Sequence, residues 1–189
     1  MGRTTPLPSP LRPMPGPVFR SNDRVALRTV EESDLDFLRE TSNHPDVRRN
    51  VGNSAPHDAL ATREEFERKS TDDDTAEFLV CVEDERVGVV GLYDVRDGWG
   101  RAETGYYLHP DHWGNGYATD AVRLVCEYGF RERRLNKVAG RTFAFNEASG
   151  RVLEKVGFEC EGRLRREAFE RGTYVDLLYW GLLAEEFEA

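Results

Sequence analysis

Long apolar runs are missing from this chain. None of its 189 residues lies in a stretch near the roughly 20 apolar residues that cross a bilayer, so no membrane contact is expected. Lysine is nearly missing, with three against 23 arginines, and acidic residues exceed basic ones by 35 to 26, a net charge of −9. An acidic chain is a poor general binder of nucleic acid, whose phosphates must be neutralised by cationic side chains. Cysteine is limited to Cys81, Cys126 and Cys160 with no CxxC pair. The three read as buried free thiols of a reducing compartment. His109 and His112 share one loop, but no third ligand is spaced beside them, so no metal is expected.

Six of the nine prolines fall in residues 1–17, which hold no apolar stretch long enough for a signal peptide. Residues 1–20 are therefore expected to form a Pro-rich irregular arm, residues 21–189 one domain, and the cytoplasm is the expected location. Apolar content of 39% and charged content of 32% suit a globular domain with a sizeable core.

Residues 24–30 read as a first strand. Ser33 is placed to cap a helix through Thr41, residues 43–59 read as a loop, and a short helix covers 62–70. Residues 77–82 and 86–95 read as strands around the acidic turn Glu83-Asp84-Glu85, and Asp97-Gly98 precedes a strand over 102–108. Ala118, Ala121, Val122, Val125, Cys126, Gly129 and Phe130 form one helical face. A strand over 137–145 follows. Asn146 then caps a helix that Gly157 ends, and a hairpin over 158–169 and 174–183 closes the chain. With no internal repeat, the pattern is a single α/β layer in which one sheet carries helices.

The most informative stretch is Tyr106-Tyr107-Leu108-His109-Pro110-Asp111-His112-Trp113-Gly114-Asn115-Gly116-Tyr117-Ala118-Thr119. A strand runs into a glycine loop and then a helix start. Glycines let backbone approach a ligand, and the unpaired N–H groups of the first helical turn favour an anion such as a diphosphate. No G-x-G-x-x-G follows the first strand, which argues against dinucleotide binding of the Rossmann type.

These residues resemble a GNAT-superfamily N-acetyltransferase. Gly116-Tyr117-Ala118 is similar to that family's acetyl-CoA pyrophosphate loop. Glu103-Thr104-Gly105-Tyr106-Tyr107-Leu108-His109-Pro110 with Trp113 to Ala121 looks like the branch that includes the ribosomal-protein N-terminal acetyltransferases. Asn146-Glu147-Ala148-Ser149 and Val152-Leu153-Glu154-Lys155-Val156-Gly157-Phe158 resemble the same branch. The resemblance spans about residues 20–185 and implies the acyl-CoA N-acyltransferase fold: a mixed, mostly antiparallel sheet, helices on both faces and a splayed central strand pair. Trp113 stands where the superfamily often has Gln or Arg, as is common in this branch. Leu153 stands where many members place a tyrosine as general acid, so that proton needs another source.

The resemblance implies that acetyl-CoA is the co-substrate. Its pyrophosphate is expected on backbone N–H groups of Gly114, Asn115, Gly116, Tyr117, Ala118 and Thr119, with Trp113 leading the loop and a backbone N–H near Leu108 polarising the thioester carbonyl. Glu103 is the candidate base for the amine, with a structural carboxylate as the alternative. Ser149 is the candidate acid for the thiolate; the alternative is a first-turn serine bonded to the Asn146 cap. Asn146 is expected both to cap the helix and to bond the pantetheine amide, and Arg151 and Lys155 either meet the 3′-phosphate or are solvated. Arg48, Arg49, Asn50, Tyr174 and Asp176 are candidates for the acceptor wall. Tyr106 and Tyr107 are assigned to core and cleft lining. The leading reading is acetyl transfer to a protein N-terminus. The alternatives are a small amine (aminoglycoside, polyamine or amino acid) and a non-catalytic acyl-CoA-binding module. A homodimer is compatible with the sequence.

Overall fold

The computed structural model describes residues 14–188. Eight strands form one sheet in the order β1-β2-β3-β4-β5-β6-β8-β7. They are β1 (Val18–Ser21), β2 (Ala26–Thr29), β3 (Ala76–Val82), β4 (Glu85–Arg96), β5 (Arg101–Leu108), β6 (Lys137–Phe143), β7 (Glu159–Glu170) and β8 (Thr173–Leu183). Among the described residues five α-helices complete it: α1 (Leu35–Asn43), α2 (Pro45–Val51), α3 (Ala59–Ser70), α4 (Tyr117–Arg131) and α5 (Glu147–Val156). The larger core lies between the sheet and α4 and α5, where Val122, Val125, Leu153 and Val156 meet Leu92, Val138 and Leu182. The opposite face is covered by α1, whose Leu38 packs on Leu79, Cys81 and Val89. Alternation along the strands separates these layers, as a two-residue period requires.

Of the neighbouring strand pairs only β5 and β6 are parallel. Their ladder stops after Arg101↔Lys137, Ala102↔Val138 and Glu103↔Ala139. Beyond it β5 keeps pairing with β4 to Leu108, and β6 with β8 to Phe143. The two strands therefore diverge, and the gap is the expected splay.

Several expectations are corrected. Part of the arm, residues 1–13, lies outside the described residues, but Val18–Ser21 is a strand on the sheet edge. Phe19 stacks on Phe78 with centroids 4.8 Å apart, a tertiary contact that four residues beside prolines do not announce. The segment 43–59 contains α2, with His44 accepting from the Asp46 N–H, Pro45 at the first turn and Gly52 in the left-handed region as its stop. Ser33 does not cap α1; it lies in a 3-10 turn, Glu32–Asp34, that leads into the helix and is closed by a reciprocal capping box between Glu31 and Asp34. Asp58 starts α3 at Ala59, before the expected Thr62. Cys81 and Cys126 are buried, but Cys160 is exposed, because β7 is the outer strand of the sheet. Burial pushes the Cys81 thiol up to about 11.

Candidate active site

The loop after β5 is shaped by two left-handed glycines, Gly114 at φ 79° and Gly116 at φ 82°. Gly116 is the N-cap residue of α4, and that helix has no side-chain cap. Its first N–H groups are thus left for an anion, strengthened by the positive end of the helix dipole. A Cβ on Gly114 would meet nothing within 4 Å, so one side of the loop is open space. These features fit a diphosphate.

Trp113 serves a different part of the loop. Its indole N–H donates to the Leu108 carbonyl at 2.9 Å and ties the loop to the end of β5. A cation reaches the loop from Arg24. Its guanidinium donates to the Asn115 carbonyl, pairs with Asp120 at 2.7 Å and lies over the Tyr117 ring at 5.6 Å. Asp120 would otherwise repel a diphosphate at the helix start. Sequence reasoning missed Arg24. Nothing local in the sequence singles it out among 23 arginines.

Two groups of polar residues stand on opposite faces of β5. On the α4–α5 face, the Tyr106 hydroxyl lies 2.7 Å from Ser149 Oγ and donates toward the Ser149 carbonyl at 3.0 Å. This bridge spans the gap between β5 and the start of α5. Burial raises the Tyr106 hydroxyl well above the ordinary phenol range, with the Ser149 bond pulling weakly the other way, so it stays protonated. Asn146 caps α5 as expected, but its Oδ1 accepts the Ser149 backbone N–H at 3.2 Å, not the hydroxyl. Its Nδ2 donates to the Asn50 carbonyl at 3.4 Å. Both ends of the Asn146 amide are thus engaged within the chain.

On the other face Glu103 is held by two guanidiniums, Arg101 at 3.1 Å on Oε1 and Arg141 at 2.8 Å on Oε2. Further along, Lys69 bridges Glu65 at 2.7 Å and Glu77 at 2.6 Å, and the Tyr93 hydroxyl donates to Glu77 at 2.6 Å. Burial raises the Glu65 carboxyl, but the bond and charge of Lys69 outweigh it and hold it below its ordinary value. Tyr107 is half-buried on this face, and desolvation raises its hydroxyl well above the ordinary range.

Helix α2 lies across the open end of the splay. At one end the His44 ring packs edge-on to His109 beyond β5, with centroids 5.5 Å apart. At the other, a Cβ on Gly52 would stand 2.9 Å from the Phe143 ring of β6. Asn50 is brought to the site in this way. Arg48 and Arg49 are exposed on the same helix. Tyr174 is exposed against Phe169 in the closing hairpin. Asp176 is committed elsewhere: its carboxylate takes the Arg166 N–H at 2.8 Å and Arg163 Nε at 2.6 Å, and these bonds hold it below the ordinary carboxylate range. It supports the irregularity of β7 between Leu164 and Ala168. Arg151 pairs with Glu147 at 3.1 Å within α5. The Lys155 carbonyl accepts from Arg123 at 3.1 Å, tying α5 to α4. Leu153 is buried in the larger core, where it supplies packing and no proton.

A splayed parallel pair with an anion-binding loop on one side and polar groups on both faces defines an acyl-transfer site that takes a phosphorylated carrier. The acetyltransferase (GNAT) domain model matches residues 24–159, and the chain belongs to that family. It is an N-acetyltransferase. It is 30% identical over 166 residues to a spermidine N(1)-acetyltransferase of Escherichia coli (strain K12), across 87% of this chain and 89% of the relative. It shares its fold with the spermidine N-acetyltransferase of Vibrio cholerae in complex with CoA and spermine, at a TM-score of 0.82 and 24% identity, over 87% of this chain and 98% of that one. It also shares its fold with a ribosomal L7/L12 alpha-N-protein acetyltransferase in complex with coenzyme A, at a TM-score of 0.80 and 18% identity, over 88% and 98%. No helix among the described residues is long and apolar enough to cross a membrane.

Proposed function

We propose that this N-acetyltransferase moves acetyl from acetyl-CoA to the α-amine of a protein N-terminus. The observation that carries the acetyl-transfer chemistry is the division of β5 into two chemical faces, with Tyr106 and Ser149 on one and Glu103 on the other; the choice of acceptor follows the sequence resemblance and the fold shared with the ribosomal L7/L12 alpha-N-protein acetyltransferase. Acetyl transfer needs a proton removed from the amine and one given to the departing sulfur, and opposed faces keep the two tasks apart.

Bound acetyl-CoA supplies the reactive thioester carbonyl. Backbone N–H groups of residues 114–119 hold its diphosphate, and Arg24 neutralises Asp120 beside them. On the acceptor face Glu103 accepts the amine proton, and Arg101 and Arg141 keep its carboxylate in place. On the cofactor face Ser149 Oγ gives a proton, with the protonated Tyr106 hydroxyl positioning it. Asn50, Arg48 and Tyr174 border the acceptor.

A second reading, acetylation of a small amine, is favoured by the spermidine acetyltransferase among the relatives. Coenzyme A release with N-terminal peptides and small amines separates the two. Glu103→Gln is expected to lower turnover more than coenzyme A affinity, most at low pH where the amine is hardest to deprotonate. If Glu103 only holds structure, the variant melts earlier and its folded fraction keeps full turnover.

A further inference from the structure

The protein is acidic overall, yet the three carboxylates on the inner part of its acceptor face are each paired with a cation. Glu103 carries Arg101 and Arg141, and Glu65 and Glu77 share Lys69. The cations at the rim are in the opposite state. Arg48 and Arg49 on α2, and Arg171 at the tip of the closing hairpin, have no carboxylate partner among the described residues. Arg171 lies over the Phe145 ring at 4.6 Å. Phe145 stacks on Phe143, with centroids 5.1 Å apart and planes 12° from parallel. Phe143 in turn meets Gly52 at the end of α2. Arg141 precedes Phe143 by two residues on the same face of β6, beside Glu103. The acceptor mouth is therefore an aromatic shelf edged by guanidiniums.

Such a shelf is wrong for a polycation. Binding one requires carboxylates free to meet it, and it would approach Arg48, Arg49 and Arg171 with like charge. A guanidinium resting flat on a ring keeps its N–H edge outward, and that edge matches a carboxylate. Resting on the acetyl-transfer reading, we propose that the acceptor carries a carboxylate close to its reacting amine, as in a protein N-terminus with Asp or Glu at its second or third position. The rim arginines draw in that negative charge, and the Phe143–Phe145 shelf supports the peptide beside it.

The test measures coenzyme A release with matched N-terminal peptides Ser-Glu-Glu, Ser-Ala-Ala and Ser-Lys-Lys, with free glutamate, and with spermidine, at low and high salt. The acidic peptide should exceed the lysine peptide in kcat/KM by at least about tenfold, because a cleft of one charge sign speeds capture of the opposite sign. Salt should narrow that gap by screening. Arg171→Ala should reduce the acidic-to-neutral ratio without changing coenzyme A affinity, and Arg171→Lys should restore part of it. Free glutamate outpacing every peptide would support the carboxylate requirement and move its source to a small molecule. Preference for spermidine or the lysine peptide would overturn the inference and leave N-acetyl transfer standing. Coenzyme A binding without turnover of any acceptor would overturn both.

Discussion

On the cofactor wall, Tyr106, Leu108, Trp113, Gly114, Gly116 and Asp120 come from one continuous stretch of chain, to which Arg24 and Ser149 of α5 are added from elsewhere. On the acceptor wall, Asn50 and Gly52 come from α2, Arg141 and Phe143 from β6, and Arg171 from the closing hairpin. The first wall binds through backbone groups, which need glycine conformations and a helix start, both written locally. The second recognises through side chains that meet only when distant segments fold together. The binding site for a common carrier is thus built mainly from a local motif, and the part that selects the acceptor is built from tertiary placement.

The largest expected break in this comparison is Gly116→Val. The residue stands at φ 82° with Arg24 Nη1 3.3 Å from where a Cβ would be. A branched side chain there is strained and crowds the loop. Calorimetry should find coenzyme A binding abolished at millimolar ligand, while α2 and the acceptor wall stay folded. Unchanged affinity would make the loop a mere connector.

Ser149→Ala comes next. Acetyl transfer should slow by about 10–1000-fold, the range of a lost general acid or less, with little change in coenzyme A affinity. The Asn146 cap uses the Ser149 backbone N–H, which the variant keeps, so the melting temperature should barely move. Transfer at the parent rate would assign the proton to water.

Arg24→Ala sharpens the cofactor side. Asp120 would be left bare at the helix start, and coenzyme A affinity should fall by about tenfold, the scale of one charged hydrogen bond. Adding Asp120→Asn should recover part of the loss, since it removes the repulsion. No recovery would mean that Arg24 contacts only the loop.

The smallest effect separates the walls by pH. Glu65 on α3 has a folded-state value below its unfolded one, so its contribution is complete above the ordinary glutamate value and is lost as pH falls through the lower, folded value. Its carboxylate is partly exposed, which keeps the effect under about 1 kcal/mol. Hydrogen exchange below about pH 4 should quicken in α3 before α4, and Glu65→Gln should remove the difference.

What was readable follows the same division. The helix α4, its glycine loop, the Asn146 cap and the Gly157 stop at φ 112° all follow from near neighbours in the chain. The strand β1 did not, because Phe19 is held by Phe78 and Tyr128 from elsewhere. Helix α2 had its Pro and Gly punctuation in view, but seven residues make a weak periodic signal against Asn, Pro and His neighbours. From sequence Tyr106 reads as lining, because its bond to Ser149 joins residues 43 positions apart. Asp176 reads as available on a hairpin strand, and only the irregularity of β7 shows where its carboxylate goes.

The most direct test is a crystal structure with coenzyme A bound. The account predicts the diphosphate on the N–H groups of residues 114–119, the pantetheine arm in the gap between β5 and β6, and the sulfur within reach of Ser149 Oγ on the face opposite Glu103. A sulfur on the Glu103 face, or a diphosphate away from the α4 start, would contradict it.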